Sequence, residues 1–360
     1  MRILIGVVLF FAQVSCAKDD AYLRDVEEYG NRPFEFKVPA YFPEPTVMPS
    51  NPLTEAGVAL GRQLFYEPLL SGNKKVSCAT CHHQDKAFAD GLVLSNTGMS
   101  GKSLERHSPV LFNLAWTGND SGFFWDGGAK NLESQVLAPL THPDEMNIYF
   151  PEMVDRLAAI PEYVRLFERA FHEVPTYTGV AKAIAQFQRS IVSANSPYDR
   201  YRRGEDRTAL GESALRGLAL VRQKCGSCHA GELFTDNEFH NNGLDASFTN
   251  DAHEELYYGR FRITRNPADM GAFKTPSLRN VMVSAPYMHD GRLAEIGDVF
   301  NHYRYGVQAG ATTDRRLYQP DGRIGIPISD EEVRDMMTFL HSLTDESFLH
   351  NASYSNPTNK

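Results

Sequence analysis

Cysteine is scarce in this chain of 360 residues, with five in all, at positions 16, 78, 81, 225 and 228. Four of them stand in two Cys-x-x-Cys groups, and Cys16 follows a short apolar run near the N-terminus. No thiol is left over for a structural disulfide framework. A long apolar run is missing too: Ile3 to Ala12 falls short of the roughly 20 residues that span a bilayer. Positive charge is not in excess, since 36 Lys and Arg face 45 Asp and Glu, for a formal net charge of -9. That argues against a nucleic-acid partner, and it suits a partner protein with a basic face. Alternating strand patterns are sparse, so the fold is expected to be mainly α. Tryptophan occurs twice, as Trp116 and Trp125.

What is present begins with Cys78-Ala79-Thr80-Cys81-His82 and returns as Cys225-Gly226-Ser227-Cys228-His229. Two thiols one helical turn apart can each add to a haem vinyl group, and the next residue offers its imidazole to the iron. A disulfide across each pair, or zinc held by Cys and His, are the alternatives. Two copies with the adjoining histidine, behind an export signal, favour two covalent c-type haems, with His82 and His229 as axial ligands.

That signal is read from Arg2 and the short apolar run after it. Ser15-Cys16-Ala17 suits cleavage before Lys18, while Val14-Ser15-Cys16 suits a loose lipoprotein box with a lipid anchor on Cys16. Gln13 is a poor match to that box. Either route places the chain in the periplasm, free or membrane-anchored.

The rest divides as follows. Residues 1–17 are the signal, and 18–51 form an extended arm rich in Pro and Tyr. Residues 52–203 form a first haem domain, 204–350 a second, and 351–360 a tail. Thr54 caps a helix carrying Leu60, Leu64 and Phe65 toward the first motif. Helices are expected at 131–137, 151–171 and 177–193, the last with Val180, Ile184, Phe187 and Ile191 on one face. A second unit starts with Leu210, Ala214, Leu218 and Val221 running into Cys225. Ser329 opens a capping box before a C-terminal helix. Lys86-Ala87-Phe88-Ala89-Asp90 is echoed by Glu232-Leu233-Phe234-Thr235-Asp236, so the two units read as an internal repeat. The expected architecture is two cytochrome c-like haem domains packed against each other.

Between the haem motifs lie Phe124-Trp125-Asp126-Gly127-Gly128, then Gln135, Pro139 and Glu145; Ala285-Pro286-Tyr287-Met288-His289-Asp290-Gly291 comes later. With both haem motifs, this resembles the bacterial di-haem cytochrome c peroxidases and their MauG-type relatives, which oxidise tryptophan residues of a partner protein. The resemblance runs from about 52 to 343. It implies that the haem at His82 is peroxidatic, that Gln135 and Glu145 line its open side, that Trp125 conducts electrons between the haems, and that the haem at His229 transfers electrons. Independently of the resemblance, a carboxylate beside the iron can take a proton from one peroxide oxygen and deliver it to the other. Alone, Glu145 reads as an ordinary surface acid and Trp125 as a core aromatic.

Three departures from the peroxidase pattern stand out. Residues 84–106 contain no histidine to close the first haem, which is therefore expected to be open at rest. Fourteen positions beyond His289, where the peroxidases place an axial methionine, stands Tyr303, the MauG-type arrangement. Met270, Met282, Met288 and His302 are the other candidates for that ligand. The resemblance also implies a calcium ion between the haems, held by carbonyls of Ser284 and Pro286 and by the Asn of an Arg-Asn-Ser-Pro motif. Here that motif reads Arg106-His107-Ser108-Pro109, and calcium wants oxygen donors.

The favoured reading is reduction of hydrogen peroxide to water, with electrons from a small periplasmic cytochrome c or cupredoxin. The alternatives are a MauG-type enzyme that oxidises residues of a partner protein, and a non-enzymatic di-haem electron carrier. A homodimer is compatible with the sequence.

Overall fold

The computed structural model describes residues 32–358 except 47, 119 and 249–253. The expected signal and Cys16 lie outside the described residues. Among those described, no helix is long and apolar enough to cross a membrane.

The architecture is mainly helical. Helix α1 is Glu55–Phe65, α2 Leu132–Thr141, α3 Phe150–Ala158, α4 Pro161–Phe171 and α5 Tyr177–Ser190. In the second half, α6 is Pro197–Arg202, α7 Glu212–Lys224, α8 Ile296–Asn301, α9 Asp330–His341 and α10 Glu346–Leu349. The one described sheet is a short ribbon, β1 (Phe239–His240) antiparallel to β2 (Phe273–Lys274), pairing Phe239 with Lys274 and His240 with Phe273.

Each half is built on one helix crossing. The Thr54 hydroxyl accepts from the Gly57 N–H and starts α1. Leu60, Leu64 and Phe65 then turn inward against Ala183, Ile184 and Phe187 of α5. The helices approach so closely that a Cβ on Gly61 would stand 1.9 Å from the Ala183 carbonyl oxygen. In the second half, a Cβ on Gly217 of α7 would stand 2.0 Å from the Asp335 carbonyl oxygen of α9. The glycines are there because backbone meets backbone. Each fully buried Leu or Phe at these crossings contributes about 1.5–3 kcal/mol.

The expected helix over 151–171 is two helices. Ile160 is extended, because Pro161 disfavours helical geometry in the residue before it and lacks an N–H. Helix α2 runs further than expected, to Thr141, with Pro139 inside it. Helix α9 starts at the capping box of Ser329 and Glu332, as expected.

The two hydrophobic cores exchange residues differently from a division at 203 and 350. Tyr198 packs into the second core, while Phe348 and Leu349 return to the first, with Tyr354 against it. The chain therefore changes core between Ile191 and Tyr198, and its C-terminal end closes over the first half. The arm bridges the two: Phe36, Tyr41 and Phe42 pack with Trp116 from one half and Leu233 from the other. The Trp116 indole N–H donates to the Pro43 carbonyl at 2.7 Å, so this tryptophan anchors the arm.

Candidate functional site

Each Cys-x-x-Cys-His sits at a turn whose next segment aims a carbonyl back at the histidine. His82 Nδ1–H donates to the Phe88 carbonyl at 2.6 Å. His229 Nδ1 lies 3.3 Å from the Phe234 carbonyl and 3.1 Å from that of Pro276. Fixing Nδ1–H leaves the Nε2 lone pair of each ring for iron. Phe88 and Phe234 hold positive φ, 62° and 52°, and this turns their carbonyls inward. The internal repeat thus has a geometric purpose that the sequence alone did not disclose.

The four cysteines form no disulfide. Desolvation pushes the Cys78 and Cys225 thiols up to about 12, so before haem attachment they stand protonated. Desolvation also lowers the pKa values of His82 and His229, which favours the neutral, metal-binding imidazole.

Around these shared halves the structure opens two unlike cavities. The smaller, about 50 Å³, is lined by Cys78, Cys81, His82, Gln135, Pro139 and Glu145, among others. Gln135 and Glu145 thus meet the first motif in space.

 Gln135 stands ten residues after Trp125, and Glu145 ten after Gln135. Pro139 cannot donate to the Gln135 carbonyl one turn back, so α2 is loosened beside this cavity. The Glu145 carbonyl accepts from the Met99 N–H at 2.7 Å, and its N–H donates to the His142 carbonyl at 3.1 Å. These bonds clamp the loop after α2 and hold a carboxylate that is 34% exposed, 3.8 Å from the His142 ring.

The larger cavity, about 320 Å³, is lined by Cys225, Cys228, His229, Trp125, Met288 and Tyr303, among others. Tyr303 lies on the π turn His302–Gly306 that continues α8, an irregularity often found at functional positions. Desolvation pushes its phenol up to about 12. Of the competing ligands, His302 directs Nε2 to the Asn242 carbonyl at 3.1 Å. The Met288 sulfur takes the Asn242 amide at 3.3 Å. Met270 and Met282 do not line the cavity.

Trp125 and Gln135 both line this larger cavity, and Gln135 lines the smaller one as well. The indole N–H of Trp125 donates to the His107 carbonyl at 2.8 Å. His289 stacks on Phe273 at 3.5 Å and bonds Leu256, which is a packing role.

The chain is 40% identical over 315 residues to the methylamine utilization protein MauG of Methylorubrum extorquens, covering 86% of this chain and 84% of that protein. It is 30% identical over 308 residues to the cytochrome c551 peroxidase of Pseudomonas aeruginosa, covering 83% and 82%. The chain belongs to the di-haem cytochrome c peroxidase family. The family model itself matches residues 55–207. A solved MauG-like protein associated with microbial copper homeostasis superposes with a TM-score of 0.81 at 32% identity, covering 90% of this chain and 99% of that one. Membership brings two covalently bound c-type haems, and the thiols and oriented imidazoles above fit them.

The calcium expected from the family does not find a fitting side chain. His107 lines the larger cavity with Ser284 and Pro286, but it donates Nδ1–H to the Leu92 carbonyl at 2.8 Å. Desolvation lowers its pKa, and a neutral imidazole is a poor calcium donor.

Sequence reasoning did not single out Gln188, His240 or Arg279, and it gave Asp126 no role of its own. Asp126 is 2% exposed and joins Arg106 and Arg262, each at 2.9 Å. Gln188 falls four residues after Ile184 on an apolar helix face, a signal that was available. The partners of His240 and Arg279 come from distant segments and left no local pattern.

Proposed function

We propose that this chain is a MauG-type enzyme, which reduces hydrogen peroxide with electrons drawn from side chains of a partner protein. Peroxide takes up two protons and two electrons to give two waters, and the partner residues are oxidised by those two electrons. The observation that carries this reading is Tyr303 in the cavity wall with Cys225, Cys228 and His229. A phenolate ligand favours ferric iron and lowers the potential relative to a thioether, which makes reduction by a small donor protein harder.

The bound haem supplies the redox chemistry at peroxide. In this chain, Glu145 takes a proton from the near oxygen and returns it to the leaving one, and Gln135 orients the ligand. The Trp125 indole, tied to the His107 carbonyl, is the conduit toward the second site. The donor-fed peroxidase is the second reading, supported by the similarity to cytochrome c551 peroxidase.

The test is stopped-flow spectroscopy of the resting oxidised protein with peroxide, with and without a reduced cytochrome c or cupredoxin. Direct reaction without donor is expected, and Tyr303→Met should slow it. Tyr303→Phe should change the low-spin ferric EPR signal. If reaction waits for prior reduction by the donor, the chain is an electron-fed peroxidase; an unaltered EPR signal moves the ligand to Met288.

A further inference from the structure

Helix α5 carries four buried polar side chains in close succession, and three have structural partners; the Ser190 hydroxyl donates to the Phe187 carbonyl at 2.7 Å. Gln186, 2% exposed, donates to the Asn51 side chain at 2.8 Å and accepts from the Thr54 N–H at 2.9 Å. Arg189, 6% exposed, makes a two-point pair with Glu133 at 2.7 and 2.8 Å. Gln188, 3% exposed, differs: its Oε1 is buried and has no hydrogen-bond partner among the described residues. It lines the smaller cavity with His82, Gln135 and Glu145, and the Gln135 Oε1 is likewise buried without a partner. Unmade hydrogen bonds of this kind cost stability, and natural proteins concentrate them at functional sites.

We infer that Gln188 is a second amide contact for the small hydroxylic ligand, water or peroxide, held at the first haem. The chemistry of the unpartnered atom supports this. A haem's own polar atoms are propionate oxygens, which accept hydrogen bonds when ionised. An amide oxygen also accepts, so its partner must bring an O–H or N–H. Water and hydrogen peroxide do so, and two amide oxygens beside one carboxylate make an acceptor-rich wall for them. Helix α5 thereby adds a contact from outside the segment that supplies Gln135 and Glu145. The inference rests on reading this cavity as the peroxide site.

The experiment compares Gln188→Met and Gln135→Met with the unchanged holoprotein. The readouts are the C–O stretch of the ferrous carbon monoxide adduct, the second-order rate with peroxide, and the thermal midpoint. Losing one such hydrogen bond should slow the peroxide reaction about tenfold. Q188M should also shift the C–O stretch and leave the thermal midpoint unchanged or higher, because an unpaired buried amide has gone. A lower midpoint with an unmoved stretch and rate would overturn the inference and make Gln188 a packing residue. If Q135M moves the stretch and Q188M does not, the site stands and Gln188 is excluded from it. If neither moves it, the reading of the cavity fails as well. Should Q188M not fold, Gln188→Glu keeps the acceptor and shape; its stretch must then change with pH, and a pH-independent, unshifted stretch overturns the inference.

Discussion

The two haem sites share one half and differ in the other. On the shared side each has a Cys-x-x-Cys-His turn, a phenylalanine at positive φ whose carbonyl faces the histidine, and a glycine where two helices cross. On the other side, the first site is narrow and lined by Gln135, Gln188 and Glu145. The second is wide and presents Tyr303 and Met288. The shared half comes from residues close in sequence, so a repeat carries it whole. The differing half is assembled from distant segments, and there the sites acquire different chemistry. Under the proposed function the first wall handles protons and the second offers a ligand, so one haem reacts and the other transfers charge.

The largest expected effect tests the first wall. Glu145→Gln removes only the proton carrier, so both haems should stay attached while peroxide turnover falls about 10²–10⁴-fold. Steady-state and single-turnover rates check this, with the second haem's spectrum as an internal control. An unchanged rate where O–O cleavage is limiting would erase the proposed contrast between the walls.

The next compares how the halves are held. Arg279 and Asp199 are a fully buried pair, with Arg279 Nη1 at 2.9 and 3.0 Å from the two carboxylate oxygens. The guanidinium also lies over the Phe42 ring of the arm, at 4.7 Å. Asp199→Ala strands that charge and should cost about 3–5 kcal/mol. The corresponding pair in the first half, Arg189 with Glu133, leaves the carboxylate 19% exposed. Glu133→Ala should therefore cost less, about 1–3 kcal/mol. Urea unfolding of both variants ranks them, and equal losses would remove the asymmetry.

The smallest effect concerns pH. Burial opposes the charged form of His240, but bonds to the Asp236 carboxylate at 2.9 Å and the Asp314 carboxylate at 2.7 Å hold its pKa above the usual imidazole range. A raised histidine contributes stability below its unfolded value of about 6.5 that is lost as pH climbs through its higher folded value. His107 is lowered by burial, so the unfolded state binds its proton first and stability falls as pH drops below about 6.5. Thermal midpoints across pH should fall on the alkaline side in the wild type and less in His240→Gln. The acid-side fall should persist in that variant and lessen in His107→Asn.

Periodicity and local chemistry made much of this molecule legible. Two Cys-x-x-Cys-His groups specify haem attachment because thiol spacing and the adjacent imidazole are local properties. The caps at Thr54 and Ser329 and the stripe from Val180 to Ile191 mark helices because those signals repeat every turn. The break before Pro161 was readable from proline itself, although the expectation joined the two helices. Spatial assembly was not local. That Gln135 and Gln188, on different helices, share a cavity with His82 follows from how α2 and α5 pack. Tyr303 reaches the second cavity because α8 continues into a π turn. The return of Phe348 to the first core, the neutral ring of His107 in the larger cavity, and the Asp199–Arg279 pair all join segments far apart in the chain. Burial, and with it the charge state and hydrogen-bond needs of these groups, exists only once those segments meet.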